Sequence, residues 1–407
     1  MKIKSRVILR IILISLILLS CKPGQENYEK YLLEKALNIC KSNLILDSHI
    51  DWPYKHIKYS DDITKLKHNG DFDLKRAEKG GLNTILSVAY IPSELNEKQG
   101  RLLFDSLVNI ITGYTVKYPD KFALAKNPAE VRGNFIKGLM SFPLCLENGS
   151  PVVDSLAYLI YLKETGIVYI TLCHMKSNQI SDANFDPDRK WNGLSPFGKE
   201  MIKEMNKLGI MVDVSHSTDS AVFQALEISR APIIASHSSC RHFTPGFERN
   251  LSDTLIKAIA LKGGVVMLNF ASYQLDSECL KNWNYLYYSW QDSTGIDLES
   301  EKGTAFIEEY DKENKLQTDV KKFANHIDHI VRIAGIDYVG LGSDFDGLIK
   351  QSLPDDLQDV SCYPLIVAEL LSRGYIEEDL KKILSGNFLR VWDEVINLAE
   401  SLNSSID

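Results

Sequence analysis

The 407-residue sequence predicts an α/β fold in which eight parallel strands close into a (β/α)8 barrel of the TIM type. Two patterns and one absence lead there. Eight short apolar runs, several rich in β-branched residues, recur at 44–46, 84–90, 139–146, 167–173, 210–215, 232–236, 264–270 and 338–343. Longer amphipathic segments separate them, and short buried strands alternating with helices read as parallel strands joined by crossovers. No glycine-rich phosphate loop follows the first run, as an open doubly wound sheet would usually have it.

The elements follow in chain order. Lys2, Lys4, Arg6 and Arg10 precede an apolar run over 11–19, then Ser20 and Cys21. A basic start, a short apolar core and a small residue before a break form a secretory signal, and the run is short for a membrane span. Leu18-Leu19-Ser20-Cys21 resembles a bacterial lipoprotein processing site. Residues 1–20 are therefore expected to be removed, Cys21 to carry a lipid and 21–27 to act as a tether. The chain would then be exported and membrane-anchored, on a periplasmic or cell-surface face.

Residues 28–407 are expected to form one barrel domain. Within it, 28–42 reads as a helix with Leu32, Leu33, Ala36, Leu37 and Cys40 near one face. Phe197, Met201, Met205 and Leu208 recur at helical spacing over 196–208, and Gly209 ends that helix. Another helix is predicted over 218–229, before Ala231-Pro232. Between Phe270 and Phe323 the rhythm breaks, with Trp283, Tyr285, Tyr287, Tyr288 and Trp290 in the interval. So long an excursion is uncommon unless functional. An insertion over 274–322 is expected, either a lid or wall beside the seventh strand or a body packed on the barrel exterior.

Composition narrows the function classes. Apolar residues make up 44% and charged residues 25%, an ordinary globular balance with ample material for a large core. The net charge of −8 speaks against non-specific nucleic-acid binding, since no basic excess exists to neutralise phosphates. Cys40, Cys145, Cys173, Cys240, Cys279 and Cys362 form no CxxC pair, so a thiolate zinc site is not indicated. No disulfide is predicted, and a homodimer is compatible with the sequence.

The chemistry-bearing residues collect at the C-terminal ends of the runs, where barrel enzymes build their sites. His49 and Asp51 end the first run, two apart and on one face of an extended strand. Glu147 ends the third, and a buried carboxylate there needs a cation or strong hydrogen bonds. His174, His216 and His237 end the fourth, fifth and sixth. Each alone is more often structural than a ligand, but four of the nine histidines now lie at strand ends. Imidazole and carboxylate together suit a zinc-like divalent ion. Asp344 and Asp346 end the eighth run. Asp344 lies nearer the strand and is assigned to chemistry, whereas Asp346-Gly347 is turn-prone and is assigned to structure. His242 could line the site's mouth. His56 and His68 lie in polar loops, and His326 and His329 lie on a helix that a barrel places outside.

On these residues the sequence resembles the membrane (renal-type) dipeptidases, peptidase family M19, of the metal-dependent hydrolase superfamily. The resemblance runs from about 45 to 395. It is most specific at Met211–His216, Ala231–Ser239, Arg249-Asn250-Leu251-Ser252-Asp253 and the stretch ending Val339-Gly340-Leu341-Gly342-Ser343-Asp344-Phe345-Asp346-Gly347. It implies two Zn²⁺ ions, one held by His49, Asp51 and Glu147 and the other by Glu147, His216 and His237, with Glu147 bridging. It implies a metal-bridging hydroxide attacking the peptide bond of a dipeptide. His174 would bind substrate or polarise its carbonyl, and Arg249 would clamp its carboxylate. Asp344 would touch substrate and carry the proton. Ile50, Asn148 and the second run's Leu86–Tyr90 ending depart from the family pattern, and bear on the pocket wall more than on the ligands.

Two rivals stand beside this reading. A related binuclear barrel hydrolase could act on a lactam, lactone or phosphoester, because similar sites run several chemistries. A catalytically inactive lipoprotein could bind a partner through the 283–290 segment, although all five expected ligand positions are filled.

Overall fold

A computed structural model describes residues 27–66, 69–153 and 155–404. Cys21, the signal and most of the tether lie outside the described residues, as does His68. The sheet holds β1 (Leu46–Ile50), β2 (Thr84–Tyr90), β3 (Phe122–Leu124), β4 (Met140–Phe142), β5 (Leu144–Glu147), β6 (Ile167–Thr171), β7 (Met211–Asp213), β8 (Ile234–Ala235), β9 (Val265–Leu268) and β10 (Val339–Leu341).

Its spine runs β1-β2-β5-β6-β7-β8-β9-β10, all parallel and in chain order. The result is a curled, TIM-like parallel sheet. Its first and last strands meet just past their C-terminal ends. Ile50 pairs in parallel with Phe345, the Asp344 N–H donates to the His49 carbonyl at 3.0 Å, and the Asp51 N–H donates to the Phe345 carbonyl at 2.9 Å. Nearly every strand residue is buried, as expected of parallel strands covered on both faces.

The run expected over 139–146 divides in two. Pro143 has no N–H to give to a ladder, and the chain turns there from β4, which pairs β3 and the start of β2, to β5, which pairs the rest of β2 and β6. Strand β3 was not expected, because three residues in a polar stretch carry no periodic signal.

The helices start and stop where capping dictates. Ser195 accepts from the Gly198 N–H, Pro196 sits in the first turn, and Gly209 ends Pro196–Leu208 in the left-handed region at φ 66°. Thr218 caps Asp219–Ile228 in the same way. The C-terminal helix Asn387–Ser404 covers the N-terminal ends of the strands. Asn387 donates to the Val339 carbonyl at 2.8 Å and Arg390 to the Gly263 carbonyl at 2.7 Å, while Phe388 and Trp392 pack with Leu46, Leu86, Tyr169 and Met267. That leaves the opposite end, where every strand delivers its last residue, open for a site.

After β9 the chain makes its excursion through Ser272–Leu275, Ser277–Tyr285, a π-helical turn Leu286–Gln291 and Glu301–Asp311. This insertion has a small core of its own, Cys279, Trp283, Leu286, Leu298, Ile307 and Leu316. Asp276 ties it down, capping Ser277–Tyr285 and meeting Lys322 at 2.8 Å. It forms part of a cavity wall at the open end of the sheet, not a body on the exterior. The six described cysteines are buried and unbridged, and among the described residues no helix is long and apolar enough to cross a membrane.

Candidate metal centre

The strand ends converge on Glu147, whose side chain is only 4% exposed. One carboxylate oxygen, Oε2, faces His49 Nε2 at 3.5 Å. The other, Oε1, faces His216 Nε2 at 3.3 Å, His237 Nε2 at 3.4 Å and His174 Nε2 at 4.0 Å. Asp51 Oδ2 lies 3.5 Å from His49 Nε2. Trios within 4.8 Å are His49–Glu147–His237, Glu147–His174–His216 and His49–Asp51–Asp344. All eight expected site residues, the six above with Asp344 and Arg249, therefore gather at one place.

The hydrogen bonds behind the imidazoles fix which nitrogen is bare. The Tyr169 hydroxyl donates to the Ser48 carbonyl at 2.9 Å, so toward His49 Nδ1, 2.8 Å away, it can only accept. Nδ1 then carries the hydrogen, and the Nε2 lone pair points at two carboxylates. Ser236 repeats the logic: its hydroxyl donates to Asp213 at 2.6 Å and accepts from His237 Nδ1 at 2.8 Å. Arg249 donates toward His216 Nε2 at 3.2 Å, leaving that nitrogen a lone pair as well. His216 Nε2 and His237 Nε2 are 2.9 Å apart. The His216 Nε2 lone pair accepts from the Arg249 guanidinium, whereas the His237 Nε2 lone pair has no donor among the described residues; two lone pairs 2.9 Å apart beside a carboxylate oxygen form a donor cluster that a cation would relieve. The donor set of imidazoles and carboxylates, with His49 and His237 oriented from behind, fits a divalent metal of the zinc type.

Electrostatics agree. Burial disfavours charge on His49, yet Glu147 and Asp51 hold it well above its ordinary pKa. A proton on Nε2 and a metal ion are alternative ways to answer those carboxylates. Burial, with Arg249 nearby, holds His216 and His237 well below their ordinary values, so both stay neutral and able to ligate. His174 is lowered by burial. Burial would raise Glu147, but His49 and His174 hold it well below the usual range, as an anion. Burial, with Asp51 and Glu147 adding, pushes Asp344 up to about 7. Asn269, at the end of β9, donates to Asp344 Oδ2 at 2.8 Å.

The backbone is strained at the same place. Asn148, His216 and Asp344 occupy the left-handed region at φ 70°, 68° and 65°. Such a conformation costs a side-chain-bearing residue on the order of 1 kcal/mol. Gly347 is required by close approach: a Cβ there would stand 2.5 Å from Asp51 Oδ2 and 2.6 Å from Asp344 Oδ1.

Arg249 is buried and meets no carboxylate within ion-pair distance among the described residues; it donates to Ser238 Oγ at 2.7 Å and the His237 carbonyl at 2.8 Å. Its loop is clamped by Asn250, which donates to Thr244 Oγ1 at 2.7 Å and the Gln274 carbonyl at 2.6 Å. A buried guanidinium without an anion, lining a cavity of 740 Å³, is disposed to receive one.

The remaining candidates have other partners. Asp346 clasps the loop at Asp71, accepting its N–H at 2.5 Å and donating its own N–H at 3.1 Å. His242 does not line the cavity; it stacks on His329 at 4.3 Å beside a separate hollow of 230 Å³. His242, Asp253 and His329 do form a compact trio. Arg332 donates to His329 Nδ1 at 2.6 Å, however, so Nε2 carries its hydrogen to Asp253 at 2.7 Å, and the network is satisfied without a metal. His326 takes the Cys240 N–H at 3.1 Å and donates to the Leu275 carbonyl at 3.0 Å, a structural clasp.

Sequence reasoning missed Tyr169, Ser236, Asp213 and Asn269. Asn269 and Ser236 stand at or beside strand ends and could have been found by the rule that found the histidines. Tyr169 is one apolar-looking residue inside a strand and gives no signal.

The sequence profile of the membrane dipeptidase family, peptidase family M19, matches residues 33–406. The dipeptidase verJ of Clonostachys rogersoniana is 29% identical over 379 residues, covering 89% of this chain and 87% of that protein. The crystal structure of the probable dipeptidase PvdM from Pseudomonas aeruginosa superposes with a TM-score of 0.79 at 25% identity, covering 91% of this chain and 99% of that one. A metallopeptidase from Rhodobacter sphaeroides, solved with a phosphinate mimic of the dipeptide L-Ala-D-Ala, shares the fold with a TM-score of 0.73 at 22% identity, covering 87% and 99%.

Proposed function

This chain belongs to the membrane dipeptidase family, peptidase family M19, and we propose that it is a dipeptidase working with two zinc ions at the mouth of a closed (β/α)8 barrel. The observation that carries the metal reading is the convergence of the Nε2 lone pairs of His216 and His237, 2.9 Å apart, on Glu147 Oε1. The two oxygens of Glu147 face different imidazoles, which supports its bridging role. His49, Asp51 and Glu147 would hold one ion and Glu147, His216 and His237 the other. Zinc bound there supplies Lewis acidity and an activated water near neutral pH.

The chain's own groups do the rest. Hydrolysis adds a water oxygen to the peptide carbonyl carbon, breaks the C–N bond and moves one proton to the departing amine. Asp344, with Oδ2 held by Asn269, takes that proton and returns it to the amine. His174, packed between Tyr90 at 4.8 Å and His216 at 4.4 Å, stands where the carbonyl oxygen gathers charge. Arg249 receives the substrate's carboxylate, which limits the enzyme to short peptides with a free carboxyl end.

Export and a lipid at Cys21 remain part of the proposal on the sequence alone. Labelling with a radioactive fatty acid, lost on Cys21→Ala, tests them.

A panel of L,L- and L,D-dipeptides, a lactam, a lactone and a phosphoester tests the chemistry. Dipeptide hydrolysis is expected to dominate; dominant turnover of another member would give the site to a related hydrolase.

A further inference from the structure

Six aromatic rings make contact in series along the cavity. Phe185 lies 6.4 Å from the His216 ring, and centroids then step 5.8 Å to Phe247, 6.5 Å to Tyr273, 6.1 Å to Trp283, 5.6 Å to Tyr287 and 6.5 Å to Tyr288. All six line the cavity. They come from three separate segments, the loops after β6 and β8 and the insertion after β9, yet they form one continuous ring series, in which Trp283, 1% exposed, backs the wall from within the insertion's core. It starts beside a candidate metal ligand and ends at Tyr288, which is 57% exposed. Trp283 donates its Nε1–H to the Leu316 carbonyl at 3.0 Å, so its polar end is satisfied within the insertion. Much of the remaining lining, including Asp51, Lys55, Lys58 and Glu299, is charged.

Arg249 fixes the direction in which a substrate would meet these rings. Phe247 precedes it by two residues in the same loop. Tyr273 is near enough that its hydroxyl and the guanidinium each feel the other's charge. A dipeptide's terminal carboxylate and its last side chain leave the same α-carbon. A carboxylate on Arg249 therefore brings that side chain toward Phe247 and Tyr273, with the rest of the series beyond. A cavity of 740 Å³ lies in the range of roughly 300–1,000 Å³ usual for ligands larger than a bare dipeptide backbone.

We propose that the enzyme selects dipeptides whose carboxyl-terminal residue carries a large apolar or aromatic side chain, laid along the Phe185–Tyr288 ring series. This rests on the dipeptidase reading and on the carboxylate role of Arg249. The aromatic stretch of the insertion thereby acquires a task, setting preference at the residue released by hydrolysis.

The test is steady-state kcat/KM on Ala-Gly, Ala-Leu and Ala-Phe with the zinc-loaded full chain, its Tyr287→Ala, Tyr287→Phe and Tyr288→Ala variants alongside. Ala-Phe is expected to exceed Ala-Gly by at least about 10-fold in the parent, the scale on which apolar pockets discriminate. The Ala-Phe to Ala-Gly ratio should fall several-fold in Tyr287→Ala, fall less in Tyr288→Ala, and survive in Tyr287→Phe. A general folding defect would lower both substrates together and leave the ratio in place. A parent ratio near one, with both dipeptides cleaved, overturns this inference alone. Unchanged ratios in both alanine variants overturn the assignment to the ring series. Failure to cleave any dipeptide overturns the underlying reading, and this inference with it.

Discussion

The floor and the wall of the cavity are built on different principles. The floor consists of strand ends. Its imidazoles are oriented from behind by Tyr169 and Ser236, its carboxylates are buried, and two of its key residues hold left-handed backbone. The wall contributed by the insertion has a core of six apolar residues of its own. It joins the helix Trp52–Tyr59 through the Lys58–Glu299 ion pair at 3.0 Å, whose side chains are 51% and 46% exposed. The two regions divide the labour. Groups that must sit within tenths of an ångström are placed on the sheet, and groups that need only offer a surface are placed on an appended body.

Substitutions on the floor should then be far costlier than substitutions on the wall. The largest effect is expected from Glu147→Gln, which removes the charge shared by two of the three trios. Dipeptidase activity should fall by roughly three orders of magnitude or more and bound metal should fall with it; full metal content by elemental analysis would break the bridging assignment. Asp344→Asn should keep the metal and lower kcat by about 10²–10⁴-fold, the usual worth of a positioned acid–base group.

The same substitution tests the pH argument. Asp344 titrates near 7 in the metal-free fold and near 3.9 when unfolded. Between those values the folded state binds more protons, so its contribution to stability is present in acid and is lost as pH rises from about 4 to about 7. Denaturant unfolding of the metal-free protein should show this loss, on the order of 1–4 kcal/mol, in the parent relative to Asp344→Asn. Equal pH dependence in the two would refute it.

A smaller change is expected one layer behind the candidate metal ligands. Tyr169→Phe keeps the buried ring but removes the acceptor for His49 Nδ1, and should weaken metal binding by about 10–100-fold in a competition titration. On the wall, Lys58→Ala should shift Tm by less than about 2 °C, since exposed pairs contribute at most about 1 kcal/mol. A loss as large as that from a floor substitution would erase the contrast between the two regions.

The same contrast governs what could be read from the sequence. Donors at the ends of apolar runs are a local pattern, so His49, Asp51, Glu147, His174, His216, His237 and Asp344 were legible before any coordinates, as were β2 and the helix Pro196–Leu208 to the residue. What orients the donors is not local. Tyr169 stands 120 positions from His49, and a tyrosine within a strand looks like core. The break at Pro143 could have been read from proline's missing N–H, whereas β3 could not. The insertion announced its length and its aromatics but not its position, because contacts such as Lys58–Glu299 span 241 positions.

Peptide hydrolysis is proposed to depend on a pair of metal ions held by His49, Asp51, Glu147, His216 and His237. The most direct measurement is elemental analysis of the purified chain, with dipeptide turnover followed through chelation and zinc re-addition. Two zinc ions per chain are expected, with turnover lost with the metal and recovered on its return. A chain that binds no divalent metal, or that hydrolyses dipeptides undiminished after the metal is stripped, would contradict it.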